Sequence, residues 1–95
     1  MKARIKFIGM PEPLSMFENG KEFQVDFAGD TLKELLDYLL LKISYKKKNI
    51  FFDENGDISS ELFTLINGRL VADSNRLRLT LYENDLIEIL PAPGG

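Results

Sequence analysis

Residues 30–43 read DTLKELLDYLLLKI, and this stretch decides the fold. Asp30 or Thr31 can cap a helix, and Thr31 and Glu34 have the capping-box spacing, in which the glutamate reaches back to the cap's N–H. After the cap, apolar residues recur at the helical period on one stripe, and charged residues take the other side. The stripe consists of Leu32, Leu35, Leu36, Leu39, Leu40 and Ile43. The sequence therefore predicts one amphipathic helix whose stripe faces a core, with Leu41 pointing away from it.

Two strand-like segments precede this helix. Residues 3–9 alternate in the strand period, which places Ala3, Ile5 and Phe7 on one face. Residues 21–27 alternate again after a stretch rich in turn residues. We therefore expect a hairpin with a long connection, followed by the helix.

Three further strand segments follow the helix. Residues 62–66 are apolar and β-prone, Asn67-Gly68 is typical of a type I′ turn, residues 69–71 return, and residues 86–90 form the last segment. The element order predicts an α+β domain with a mixed sheet of about four to five strands and one helix on one face, the β-grasp or ubiquitin-like arrangement. We expect the third strand to return parallel to the first, and the other face of the sheet to be open to solvent or a partner.

Residues 44–61 are an irregular insertion between the helix and the third strand. The phenylalanine pair at 51–52 is the natural anchor for this segment. The motif Asp53-x-Asn55-x-Asp57 is superficially like a calcium loop, but its glycine stands at the fourth position instead of the sixth and its twelfth position is not glutamate. We therefore expect no metal site.

Composition excludes several classes of function. The chain has 95 residues, 44% of them apolar, which suits one folded domain that we place at residues 1–90, with a flexible tail at 91–95. The sequence has no Cys and no His, so it lacks a thiolate nucleophile, an imidazole general base and the usual zinc ligands, and we do not expect an enzyme.

Charge and hydropathy exclude two kinds of partner. The net charge of −3 argues against nucleic acid, and the basic cluster Lys46–Lys48 is too short to change that expectation. We expect no membrane span, since no apolar run is long enough for one. The N-terminus has no signal-peptide pattern, so we expect a cytoplasmic protein.

The tail at 91–95 reads PAPGG. Proline should end the preceding strand and stiffen the exit, while Gly94 and Gly95 leave the α-carboxylate sterically bare. About 16 Å of extended chain can carry that carboxylate into the catalytic pocket of another protein. It needs activation, as an acyl-adenylate made by an ATP-dependent partner, before it becomes a thiocarboxylate or an amide. A frayed chain end is the simpler alternative.

Two motifs resemble a known family. Residues 80–95, TLYENDLIEILPAPGG, resemble the C-terminal pattern of molybdopterin-synthase small subunits, in which a turn ending in Asp precedes an apolar strand, prolines and Gly-Gly. Residues 65–68, LING, look like the strand and Asn turn of that family. Asn84 stands where the family usually has glycine, a mild departure because Asn tolerates the left-handed conformation.

The resemblance implies a ubiquitin-like sulfur carrier that binds no cofactor. An E1-like enzyme would use ATP to adenylate Gly95, the carboxylate would become a thiocarboxylate, and a large synthase subunit would use it to supply sulfur for molybdopterin. An outward apolar patch docks on both partners in that family, and the matching positions are Ile8, Leu70 and Leu90. A protein modifier conjugated through Gly95, a thiazole-pathway sulfur carrier and a plain interaction domain stay open as alternatives.

Overall fold

The computed structural model describes residues 1–10, 20–43, 51–71 and 75–92. Its elements in chain order are β1 (Lys2–Phe7), β2 (Glu22–Asp26), α1 (Leu32–Ile43), β3 (Leu62–Ile66), β4 (Arg69–Leu70), a short 3₁₀ helix (Arg76–Arg78) and β5 (Leu86–Pro91). The predicted order of strands and helix is confirmed. At 12 residues α1 is too short to cross a membrane, and the described part of the chain holds no other helix that could do so.

The strands form one mixed five-stranded sheet in the order β2-β1-β5-β3-β4. β1 pairs antiparallel with β2 and parallel with β5, whereas β3 pairs antiparallel with both β5 and β4. The predicted mixed sheet is confirmed, but the expectation that the third strand runs parallel to the first was wrong. β5 takes the place beside β1, and β3 lies on the far side of β5. The right-handed crossover rule describes how two parallel strands of one sheet are connected. It does not say which later strand pairs with β1.

The capping box at the start of α1 is confirmed. The Glu34 carboxylate accepts hydrogen bonds from the Thr31 hydroxyl at 2.9 Å and from the N–H groups of Asp30 and Thr31 at 3.2 and 3.3 Å. In return the N–H of Glu34 donates to the Thr31 hydroxyl at 3.2 Å. The hydrogen bonds from the Thr31 side chain and the Asp30 backbone lower the pKa of the Glu34 carboxyl group. The φ of Gly29 is 118°, which residues with a Cβ rarely adopt, and a Cβ there would push the Glu34 carboxylate out of the cap.

The core lies between α1 and one face of the sheet, which we call the inner face. It includes the fully buried side chains of Ala3, Ile5, Phe7, Leu32, Leu35, Leu39, Phe51, Ile87 and Ile89. Leu36 is also buried and Leu40 is half-buried, so the predicted stripe faces the core. Leu41 points away from it and is 78% exposed, as expected, and the side chain of Ile43 lies outside the described part of the structure.

The described part of the insertion is anchored by Phe51. Its ring is fully buried and stacks on Phe7, with the ring centroids 6.3 Å apart and the planes inclined by 5°. Beyond this anchor the chain folds back, because the N–H of Ser59 donates to the carbonyl of Phe51 and the N–H of Asp53 donates to the carbonyl of Asp57, both over 2.8 Å. We call residues 51–59 the insertion hairpin.

Candidate functional site

The chain leaves the sheet at the end of β5. Pro91 is paired with Leu62 of β3, and the N–H of Ala92 donates to the carbonyl of Glu61 over 2.8 Å. The expectation that this strand ends at Leu90 was therefore wrong by one residue, and Ala92 is still attached to the sheet.

Pro91 fits into β5 because of its place in the ladder. Successive N–H groups along β5 face β3 and β1 in turn, and the N–H of Ala92 faces β3. The nitrogen of Pro91 is thus directed towards the β1 side, where β1 has already ended at Phe7. The missing N–H of Pro91 removes no hydrogen bond between β5 and β1, so the proline can extend β5 without the loss of a ladder hydrogen bond.

The two residues expected to present the reactive carboxylate, Gly94 and Gly95, lie outside the described residues. Gly95 is the third residue after Ala92 in the sequence. Three extended residues span about 10 Å, compared with about 16 Å for the expected tail of five. A catalytic pocket that receives Gly95 would therefore have to lie close to the end of β5.

The face of the sheet opposite α1, which we call the outer face, carries all three of the predicted partner-binding residues. Ile8 and Leu90 directly follow the buried inner-face residues Phe7 and Ile89, and the N–H of Ile8 donates to the carbonyl of Ile89 over 3.0 Å. Ile8 and Leu90 are half-buried, whereas Leu70 is 53% exposed. The structure thus brings the three residues to one side of the sheet.

Two further apolar side chains, Phe63 and Leu65 of β3, connect these positions. Phe63 stands directly opposite Leu90 on β5, and Leu65 stands directly opposite Leu70 on β4. Both side chains are half-buried. Because directly opposed residues on one face have neighbouring Cβ atoms, the side chains form a continuous surface. We define the outer apolar patch as Ile8, Phe63, Leu65, Leu70 and Leu90.

Sequence reasoning missed Phe63 and Leu65 because β3 lacks the usual contrast between its faces. Its sequence is LFTLI, and its one polar residue, Thr64, is the buried one, with 3% exposure on the inner face. Alternation assigns Phe63 and Leu65 to the outer face only once Thr64 is known to point inward. The pairing with β5 supplies that information.

The polar side of the outer face lies on β1 and β2. Arg4 forms an ion pair of 2.9 Å with Glu22 and donates its Nε–H to the carbonyl of Asn84, also over 2.9 Å. Lys6 stands opposite Glu88 on the neighbouring β5. The outer apolar patch is therefore bordered on one side by a rim of charged residues, an arrangement common at protein interfaces.

The two motifs that carry the family resemblance bind each other. Asn67 and Gly68 have φ values of 53° and 84°, which confirms the predicted turn, and Asn84 has a φ of 67°. The Asn67 side-chain amide donates to the Asp85 carboxylate over 2.9 Å, and its oxygen accepts the N–H of Leu86 over 3.0 Å. These bonds fasten the β3–β4 turn to the start of β5, so they position one end of the outer apolar patch.

In the acidic motif of the insertion hairpin, the side chain of Asp53 stabilises a turn. Oδ1 of Asp53 accepts the N–H groups of Asn55 and Asp57 over 2.8 and 3.1 Å. The described residues contain no group of three or more His, Cys, Asp or Glu side chains that could hold a metal ion. The cluster Lys46–Lys48 lies outside the described residues.

The fold and this outer face define a ubiquitin-like β-grasp protein. Among solved structures, the small archaeal modifier protein 1 of Methanosarcina acetivorans is similar over 99% of this chain and 95% of its own, with 23% identity and a TM-score of 0.71. A chain of the Amycolatopsis orientalis BexX/CysO complex is similar over 98% of both chains, with 20% identity and a TM-score of 0.67. A chain of the complex of subunits 1 and 2 of molybdopterin-converting factor from Helicobacter pylori covers 100% of this chain and 99% of its own, with 21% identity and a TM-score of 0.58.

These likenesses confirm the predicted ubiquitin-like β-grasp fold over the whole chain. No protein-family model matches the sequence significantly, and no curated protein does.

Proposed function

We propose that this chain is a sulfur carrier of the molybdopterin-synthase small-subunit type. The observation that carries the proposal is the position of Leu90, which belongs to the outer apolar patch and lies only a few residues before Gly94 and Gly95. A docking surface on the body would then lie only a few residues along the chain from the reactive end. The likeness to a chain of a two-subunit molybdopterin-converting factor supports the same function.

The chemistry requires no acid or base from this chain. The Gly95 carboxylate attacks the α-phosphorus of ATP in the site of an E1-like enzyme, and pyrophosphate leaves. Hydrosulfide from the sulfur donor then attacks the carbonyl carbon of the acyl-adenylate, AMP leaves, and the thiocarboxylic acid loses its proton to give the thiocarboxylate at Gly95. The lack of Cys and His in the sequence is compatible with this division of labour. Because the reaction consumes ATP, we place it in the cytoplasm.

The second partner is a large synthase subunit that accepts the loaded tail and transfers its sulfur to a pterin precursor. The outer apolar patch docks on that subunit while residues 93–95 enter its catalytic pocket. Because about 10 Å of extended chain separates Gly95 from Ala92, the body has to dock at the mouth of the pocket. Binding through the body then positions the reacting atoms, so no further recognition by the tail is needed.

The test is the intact mass of the chain after incubation with its activating enzyme, ATP and a sulfur donor. We expect the mass gain of replacing one oxygen by sulfur, located on Gly95 by fragmentation. The mass of the untreated chain checks that Gly95 carries the free carboxylate. Omission of ATP should abolish the gain. An unchanged mass under conditions that load a known carrier would contradict the proposal.

The alternative function is a protein modifier, which the likeness to a small archaeal modifier protein favours. The same adenylate would then be attacked by a lysine amine, giving an isopeptide bond between Gly95 and a target. Tryptic mapping of conjugates distinguishes this product from a thiocarboxylate. A thiazole-pathway carrier would be loaded identically and would differ only in the acceptor of its sulfur.

The outer apolar patch gives a second prediction, best tested at Leu70 because this side chain is 53% exposed. Replacing Leu70 with Glu should raise the carrier concentration for half-maximal loading by about tenfold, since a charge would be desolvated inside the interface. The matched control is Leu41→Glu on α1, where the leucine is 78% exposed and lies away from the patch. That variant should change the value by less than about twofold. Equal effects of both variants would remove the patch from the docking surface.

A further inference from the structure

A concave surface lies on the helix side of the molecule, between α1 and the insertion hairpin. This groove has a volume of about 800 Å³ and is lined by Lys33, Asp37, Leu40, Phe52, Asp53, Glu54 and Gly56. It shares no residue with the outer apolar patch. Neither sulfur transfer nor protein conjugation at Gly95 uses it, so its chemistry does not rest on the proposed function.

The groove combines an apolar floor with an acidic rim. Leu40 and Phe52 are half-buried and supply the floor. Among the described residues, the rim carries the carboxylates of Asp37, Asp53 and Glu54 against the single ammonium group of Lys33. An anionic ligand would meet a net negative rim, so nucleic acid and phospholipid surfaces are unsuitable occupants.

The position of Lys33 shows that an ammonium group fits into this groove. Its Nζ is 2.7 Å from Oδ2 of Asp37 and 5.7 Å from the centroid of the Phe52 ring. An ammonium group thus lies between a carboxylate and an aromatic face, a combination that binds cations. Its side chain is 54% exposed, so this position is open to exchange with an external cation.

The rim opposite Lys33 has carboxylate oxygens that can accept hydrogen bonds from a ligand. Glu54 is exposed, and no ion pair of the described residues involves it. Oδ1 of Asp53 accepts the N–H groups that close the hairpin turn, and neither of these bonds uses its second oxygen. The groove therefore offers two carboxylates to a second cation beside Lys33.

We propose that this groove binds a basic segment of a protein partner, in which lysine and arginine residues are interspersed with aliphatic residues. The aliphatic stem of the basic side chain lies along Leu40 and Phe52, and its cationic head binds Glu54 and Asp53. Long basic side chains pack their stems on apolar surfaces in this way. The site lies on the opposite side of the sheet from the outer apolar patch, so both surfaces can be occupied at once.

The experiment uses the full chain and an acetylated, amidated peptide of sequence LKRLKL, with LEELEL as the negative control. We titrate each peptide into the ¹⁵N-labelled chain and follow the backbone amides. We expect saturable shifts at Leu40 and residues 52–56 with LKRLKL and none with LEELEL. Shifts confined to β3 and β5, or equal binding of both peptides, would overturn the proposal.

Two pairs of variants test the charge argument. Glu54→Lys should weaken binding of LKRLKL about three- to tenfold, whereas Glu61→Lys, the same change at an exposed glutamate outside the groove, should alter the Kd by less than about twofold.

Lys33→Gln should tighten binding about two- to fivefold because it removes the internal competitor. Its control is Lys42→Gln, since the Lys42 Nζ lies 5.3 Å from the Tyr38 ring centroid, outside the groove. Equal effects within either pair would reduce the binding to general charge attraction and overturn the proposal.

A last variant separates a partner's cation from one supplied by this chain. Lys46, Lys47 and Lys48 are replaced together by glutamine, and thermal melting confirms that the variant is folded. We expect the Kd for LKRLKL to stay within about threefold of the unchanged protein, which is the range of general charge effects. A gain of tenfold or more would identify these lysines as the occupant and would overturn the proposal.

Discussion

Replacing Phe51 with alanine should lower the free energy of unfolding by about 3–5 kcal/mol. The ring is fully buried and stacks on Phe7, so its removal leaves a cavity against the inner face of the sheet. The same change loosens the insertion hairpin, because Phe51 and the buried Ile58 are the residues that tie that segment to the core. Urea unfolding followed by circular dichroism measures the loss.

The neighbouring phenylalanine supplies the matched control. Phe52 is only half-buried and lies in the groove wall, so Phe52→Ala should lower the free energy of unfolding by no more than about 1–2 kcal/mol. If the two variants were equally stable, Phe51 would not be the anchor of the insertion. If Phe51→Ala leaves no folded protein, Phe51→Leu, which keeps most of the buried volume, should cost about half as much.

The helix and its cap could be predicted from the sequence because the interactions that decide them are local. Thr31 and Glu34 are three residues apart and bind each other directly in the structure. The leucine stripe follows from the helical period alone, and even the exposed Leu41 was assigned correctly. The turn at Asn67-Gly68 was predicted for the same reason, since its conformation depends on the two residues themselves.

Strand neighbours were harder to predict because they depend on contacts between distant residues. The hydrophobic pattern identifies β1, β3 and β5, but all three have a buried inner face and could have been placed beside one another in more than one order. The register of β5 against both β1 and β3 resolves the order, and that register is a property of the folded sheet.

Only part of the candidate docking site was predicted, again because strand pairing depends on contacts between distant residues. Ile8, Leu70 and Leu90 were assigned from the family resemblance, and the structure places them on one face. Phe63 and Leu65, which connect them, sit in a strand whose polar residue is buried. The groove on the helix side was not predicted, because it joins α1 to a hairpin whose path depends on the anchor at Phe51.

Removing Gly94 and Gly95 should reduce sulfur loading by at least about a hundredfold, the largest functional effect that we expect. The carboxylate would then belong to Pro93, about 7 Å short of its place in a partner's active site, and a displacement of even about 1 Å can cost a hundredfold in rate. The proline ring would also crowd the carbonyl carbon that the sulfur nucleophile has to reach.

The position of the last sheet hydrogen bond makes this truncation a clean experiment. Ala92 binds the carbonyl of Glu61, so the cut falls beyond the final contact of β5 with β3 that the structure describes. The free energy of unfolding should therefore change by less than about 0.5 kcal/mol. The length-preserving variant Gly94→Ala is the control, and it should keep most of the loading because the carboxylate stays at Gly95. A truncated chain that is loaded as fast as the full chain would mean that the carboxylate of Gly95 does not react, and the carrier and modifier hypotheses would both fail.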